Sequence, residues 1–177
     1  NVSGQTVNTS GGSDIFVIQY DHDLNLQNIT TGNGPGVNYG YEIDCNINKT
    51  FTVGSSGGHL IINNTEVDSS SGSYVYIKDI NSNTQSYSVM HQAGVMNVKA
   101  DEDNNVYVVG SFAGQAVFGP HVIYSQNNSS DFFCAKLNSN LEWEWVKNFG
   151  SNDIDKGKDI AIFGNKIYIV CNFNDTL

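Results

Sequence analysis

Apolar residues along this chain come in short runs that alternate with polar ones, and the runs are separated by clusters of Asn, Asp, Ser and Gly. That is the period of half-buried strands joined by turns, not of amphipathic helices. The runs also recur. Thr50-Phe51-Thr52-Val53-Gly54, Val106-Tyr107-Val108-Val109-Gly110 and Ile167-Tyr168-Ile169-Val170-Cys171 form one column, with the aromatic residues 56 and 61 positions apart. A second column opens at Asp14, Ser73 and Asp131, and a third closes on Gly32, Gly94 and Gly150. Three columns in one order make a repeat array.

Each repeat reads as four short strands. The first begins near Tyr41-Glu42-Ile43-Asp44, Asn97-Val98-Lys99-Ala100 or Asp159-Ile160-Ala161-Ile162. The aromatic-valine strand follows after a turn such as Gly164-Asn165, where both residue types tolerate positive φ. Then comes an excursion, Ser55 to Gly72 in one copy and Ser111 to Ser130 in another, expected as surface loop with an added strand at His121–Tyr124. The strand opening at Asp14, Ser73 or Asp131 is third, and the one ending in glycine is fourth. Leu141, Trp143 and Trp145 stand two apart, so a strand there is expected to carry them on one side with Glu142 and Glu144 opposite. Strand-rich repeats of about 40–50 residues point to an all-β array of propeller blades.

The run Asp101-x-x-Asn104-Asn105-Val106-Tyr107-Val108-Val109-Gly110-Ser111-Phe112 resembles the bacterial seven-bladed beta-propeller (SBBP) repeat family. So do Phe118-Gly119, Ser130-Asp131-Phe132-Phe133 and Ala135-Lys136-Leu137, with Trp145, Phe149-Gly150 and Asp155 extending the match. The resemblance covers nearly the whole chain. It departs at Gln19, where the pattern has lysine, and at Cys171, where it has glycine. It implies four-stranded antiparallel blades in large secreted or surface proteins and supplies no catalytic residues. With the Tyr41-type strand innermost, strands A to D give half a blade over 1–32, blades over 33–94 and 95–150, and half a blade over 151–177. Phe51, Val53, Gly54, Tyr107, Val109, Gly110, Tyr168 and Val170 are then structural positions, with the aromatic residues and valines expected at equivalent places facing the blade interfaces or the strand-edge equivalent. An open array leaves apolar faces bare, so missing blades are expected from a parent chain or a second copy. The chain starts and stops inside a repeat, which reads as a mature product or a piece of something longer.

The 18 acidic residues against 8 basic give a net charge of −10. Such a surface repels phosphate backbones and anionic lipid, which argues against nucleic-acid partners. No apolar stretch approaches the ~18–20 residues of a membrane span. Cys45, Cys134 and Cys171 lack metal-ligand spacing and read as small hydrophobes, with one disulfide left open.

Calcium is the sharpest cofactor candidate, since Asp21-x-Asp23-x-Asn25, Asp79-x-Asn81-x-Asn83 and Asp101-x-Asp103-x-Asn105 place oxygens at alternate positions. None has the glycine and glutamate that an EF-hand requires, and Asp and Asn favour such turns for backbone reasons. Asp153, Asp155 and Asp159 form a further weak metal candidate. His22, His59, His91 and His121 show no ligand spacing, and the sequons at Asn28, Asn63 and Asn128 are expected by chance in so Asn- and Ser-rich a chain. No nucleophile elbow or phosphate loop occurs. Glu142 and Glu144 could be imagined as a glycosidase acid pair, but two apart on one strand and facing away from the tryptophans they read as a solvated face. The expectation is a non-enzymatic, extracellular or cell-surface scaffold binding protein or glycan through its loops. The alternative is a larger propeller hydrolase whose catalytic residues lie outside these residues.

Overall fold

The computed structural model describes residues 2–68, 72–82 and 84–176. Part of the first excursion (69–71) and Asn83 of the second alternating-oxygen turn lie outside the described residues. The chain is all-β, with 65% of its residues in strands and antiparallel sheets throughout. Its one helical feature among the described residues is a 3-10 turn at Gln126–Asn128.

The strands are β1 (Ile15–Tyr20), β2 (Leu26–Asn33), β3 (Asn38–Cys45), β4 (Lys49–Ser56), β5 (Leu60–Ile62), β6 (Thr65–Asp68) and β7 (Gly72–Asp79). They continue as β8 (Gln85–Ala100), β9 (Val106–Phe118), β10 (His121–Tyr124), β11 (Ser130–Leu137), β12 (Trp143–Phe149), β13 (Lys156–Phe163) and β14 (Lys166–Asn172). One path of hydrogen-bonded neighbours runs β12-β11-β9-β8-β7-β4-β3, with β10 on β9; β1-β2-β5-β6 and β13-β14 form two further sheets. The long path bends at β8. Residues 85–90 of β8 pair with β7, and His91 and residues 93–100 pair with β9. Gln92, at the irregularity just after the switch, takes φ 59°. The path is thus two four-stranded units, β3-β4-β7-β8 and β8-β9-β11-β12, that share one strand. That strand crosses position 94, where the sequence suggested a boundary between two strands.

The repeat is visible in the register. Three hairpins carry a β-bulge at the same place in their first strand: Gly40/Glu42 opposite Gly54/Val53, Val95/Asn97 opposite Gly110/Val109, and Gly157/Asp159 opposite Cys171/Val170. A bulge puts two residues against one and sharpens the local twist. The extra residues are Tyr41, Met96 and Lys158. Gly54 and Gly110 lie against this feature. A Cβ at Gly54 would strike the Tyr39 carbonyl oxygen and the Tyr74 hydroxyl, and one at Gly110 would strike the Gly94 carbonyl oxygen.

Packing corrects three expectations. The third-strand column slips by one in the second repeat, because Gly54 faces Tyr74 while Gly110 faces Phe133. Ser73 is therefore equivalent to Phe132 and not to Asp131; with a period of two, one step moves a side chain to the other face. Trp143 and Trp145 also part company. A bulge at Glu144 sets Trp145 opposite Lys136 and Trp143 opposite Leu137. Trp143 joins the main core with Phe118 and Phe133, whereas Trp145 packs beside Tyr107, Val109 and Ile160. Glu144 pairs with Lys136 at 2.7 Å.

The excursions are not surface loops either. β5 and β6 add to β2, with Gly32 opposite Ile62, and Leu60, Ile62 and Val67 are buried against Tyr74 and Tyr76. In the next unit β9 runs on to Phe118, which is fully buried between Phe133 and Trp143. Each excursion seals the seam to the preceding unit, which its Gly-, Asn- and Ser-rich composition hid.

Candidate functional site

Equivalent residues of the three hairpins differ sharply in exposure, and that difference marks the site. In the first strand of each hairpin Ile43 faces Thr52, Val98 faces Val108 and Ile160 faces Ile169. Val98 is fully buried in the cluster that holds Phe51 and Val53 of the preceding unit. Ile160 is buried at 2% exposure against Val109 and Cys134, with Tyr107 beside them. Ile43 is 45% exposed. It lines a cleft of about 550 Å³ between the β1–β2 hairpin and β3, β4 and β7, together with Val17, Gln19, Tyr20, Thr50 and Ile80. Lys78 spans the cleft floor, its ammonium donating to the Thr30 hydroxyl at 3.3 Å. A shallower extension reaches Phe16 and Tyr41. Beside it the exposed rings of Tyr39 and Tyr41 stack at 6.1 Å, and the Tyr41 hydroxyl shares a 2.7 Å hydrogen bond with that of Ser55. The result is an apolar trough with exposed aromatic rims and Lys78 as the one charged side chain of its lining.

The structural positions named from the sequence divide in the same way. Phe51, Val53 and Val109 are fully buried. Tyr107 is half-buried, donates from its hydroxyl to Asp101 Oδ2 at 3.2 Å and lies 5.8 Å below the Lys136 ammonium. Tyr168 and Val170 on β14 are 53% and 62% exposed.

The acidic candidates do not converge. Asp153 Oδ1 accepts from the Ile154 N–H and Asp159 Oδ1 from the Ile160 N–H, both at 2.8 Å. Asp155 is fully buried and accepts from the Ser151 N–H at 2.6 Å, the Ser151 hydroxyl at 2.9 Å and the Asn174 N–H at 3.0 Å. Burial pushes the Asp155 pKa up, but the Ser151 and Asn174 bonds outweigh it and hold the carboxyl below its ordinary 3.8. Its role is to pin the passage from β12 into β13. Among the described residues no group of three or more His, Cys, Asp or Glu side chains is placed to hold a metal. The turn aspartates are engaged by their own turns: Asp21 Oδ1 accepts from the Asp23 and Asn25 N–H groups, Asp79 Oδ1 from those of Asn81 and Ser82, and Asp101 Oδ1 from those of Asp103 and Asn105.

Asp155→Ala is expected to cost about 2–3 kcal/mol, because it strands buried donors that a charged acceptor now satisfies. The lowered pKa fixes the pH dependence. Its stabilising contribution is complete above the ordinary carboxylate value and is lost as pH falls through the folded one. Acid unfolding followed by circular dichroism checks this, and Asp155→Asn should flatten that limb of the curve.

The three cysteines are unpaired, with Cys45 exposed, Cys134 buried and Cys171 half-buried. Burial raises the Cys134 thiol to about 12. Since only a thiolate reacts readily, native-state alkylation read by mass spectrometry should modify Cys45 first and spare Cys134 until the fold is melted.

The trough around Ile43 was not singled out from the sequence. Its signal was present in the Tyr41-type strand, where an isoleucine, a valine and an isoleucine occupy one bulge-aligned position. No helix among the described residues is long and apolar enough to cross a membrane. No protein-family model matches the chain, and no curated protein matches it either.

Proposed function

We propose that the chain is a stretch of β-propeller repeat, related to the SBBP type, serving outside the cell or at its surface as a non-enzymatic scaffold that binds protein or glycan. One observation carries this reading. Three hairpins share one bulge position, and each of the two packed ones lays its first strand on the aromatic-valine strand of the preceding unit. Serial antiparallel units stacked face to face through equivalent positions are the logic of propeller blades. A stack of units with an open apolar trough offers a binding surface, and binding sites sit where a scaffold holds such surfaces rigidly.

Two measurements test the reading. Saturable binding to members of a glycan array or of an extracellular-protein panel, lost in Tyr41→Ala, supports it; turnover of fluorogenic glycoside, ester or phosphate substrates refutes it. Millimolar calcium should leave the melting temperature unmoved, because Oδ1 of each turn aspartate already accepts from backbone N–H groups of its own turn. A marked rise reversed by chelator would mean that a folded-state cation site exists.

A further inference from the structure

We propose that residues 85–89 of β8 take up an extended segment of a partner protein as an added strand. One apolar side chain of that segment fills the groove beside Trp143, and a lysine or arginine next to it meets Glu142. This groove is separate from the trough beside Ile43 and does not depend on the blade reading. β7 and β9 lie on opposite sides of β8. On the β9 side the ladder stops at His91, opposite Val117. β9 ends at Phe118, and the chain turns away through Gly119, at φ 52°, and Pro120. Among the described residues, 85–90 therefore pair with β7 alone.

The ladder fixes which backbone groups are left over. The Asp79 N–H donates to the Thr84 carbonyl at 2.9 Å, and the Ile80 N–H to the Asn48 carbonyl at 2.8 Å. Hydrogen-bonded pairs recur at every second residue of an antiparallel ladder, so Ser86, Ser88 and Met90 bond towards β7. The N–H and C=O groups of Gln85, Tyr87 and Val89 point the other way, into the space that β9 leaves. Free sheet edges are ordinarily guarded by charged residues, and β12 carries Glu144 and Lys147. The stretch Gln85–Met90 carries none, in a chain of net charge −10.

A groove of about 610 Å³ runs along this edge, with Tyr87, Ser88 and Val89 on one side of it. Their side chains alternate between the two faces of the strand, so a cleft that meets all three meets the strand at its backbone edge. The rest of the lining includes Leu141, Glu142 and Trp143, with Gly119 where β9 turns off. Trp143 is 5% exposed, and its indole N–H is buried without an acceptor. The ring edge that carries this donor faces Gly119, where a Cβ would come within 3.0 Å of Trp143 Cδ1. A buried donor left unmet is costly. A strand added to β8 turns every second carbonyl away from it and so supplies the acceptor. Main-chain bonds of this kind give affinity, and pockets for alternate side chains give selectivity. Glu142 is exposed and is the one charged residue of the lining, which favours a basic neighbour over an acidic one. A glycan fits less well, because the buried Trp143 offers no bare ring face.

The test pans phage-displayed random octapeptides on the folded 177-residue chain and measures the enriched peptides, labelled with fluorescein, by anisotropy. They should combine an apolar residue with lysine or arginine and bind saturably. Val89→Pro removes an outward N–H and no bond to β7, which an edge strand tolerates. It should keep the strand signature in circular dichroism and weaken binding by at least about tenfold. Trp143→Phe should weaken binding by a similar factor, and Glu142→Gln should abolish the preference for a basic residue. Methylating the peptide nitrogens singly needs no variant protein: alternate positions should lose binding and the positions between them keep it. No enrichment, a methylation pattern without that alternation, undiminished binding to Trp143→Phe, or a glycan held in this groove overturns the proposal. Peptide binding lost in Tyr41→Ala and kept in Val89→Pro would put the peptide in the trough, overturning this inference and leaving the proposed function in place.

Discussion

Phe51→Ala is expected to destabilise the fold by about 3–5 kcal/mol, the usual cost of emptying a fully buried aromatic site. Phe51 has no exposed surface and sits in the largest cluster with Val53, Val75, Ile77, Val95 and Val98. Those residues come from β4, β7 and the part of β8 that pairs with β9, so the ring joins two units and not merely two strands. Little can collapse into the void, because the walls are backbone-paired strands on both sides. Chemical denaturation followed by tyrosine and tryptophan fluorescence gives the number, with the midpoint falling and the slope unchanged if only stability is altered. Tyr168→Ala, at the equivalent position, is the control. It should shift stability by no more than about 0.5 kcal/mol, as an exposed substitution does. Equal losses at the two sites would mean that their environments are alike, contrary to the burial of Phe51 and the exposure of Tyr168.

Gly110→Ala should cost about 3 kcal/mol, at the upper end of what overpacking does. The added Cβ has nowhere to go. It would overlap the Gly94 carbonyl oxygen and approach the Phe133 ring to 2.9 Å, and the first of these is backbone fixed in the β8–β9 ladder. A flexible side chain could step aside; a ladder carbonyl cannot without opening the bulge at Val95/Asn97. Gly54→Ala should behave alike, since its Cβ would meet the Tyr39 carbonyl oxygen and the Tyr74 hydroxyl. Gly94→Ala, whose Cβ would find the Ser111 carbonyl oxygen at 3.5 Å, makes only ordinary contact and should be tolerated. Thermal melts of the three variants separate the cases. A Gly110→Ala chain as stable as Gly94→Ala would remove the steric role assigned to this position.

Alternation of apolar and polar residues determined the strands, because a half-buried strand must show one face to the core and one to water. It placed β4, β9, β11 and β14 correctly and found the extra strand β10. Turn chemistry was legible for the same local reason: Asp21, Asp79 and Asp101 cap their own turns through backbone N–H groups within four residues. The repeat, too, was in the sequence, since equivalent aromatic residues recur wherever equivalent hairpins do.

What the sequence could not decide is where that alternation is interrupted. The bulge at Glu144 sends Trp143 and Trp145 to different clusters, and the one-step slip in β7 separates Ser73 from Asp131. A bulge is a choice between two registers that differ by one residue, and distant partners make that choice, not neighbours in the chain. The excursions are the same case, because Leu60 and Ile62 become core only when β5 reaches β2. The exposure of Ile43 beside the burial of Val98 and Ile160 likewise belongs to the tertiary structure alone: three similar residues at one repeat position share a local conformation, and only what packs over them makes one a site and the others core.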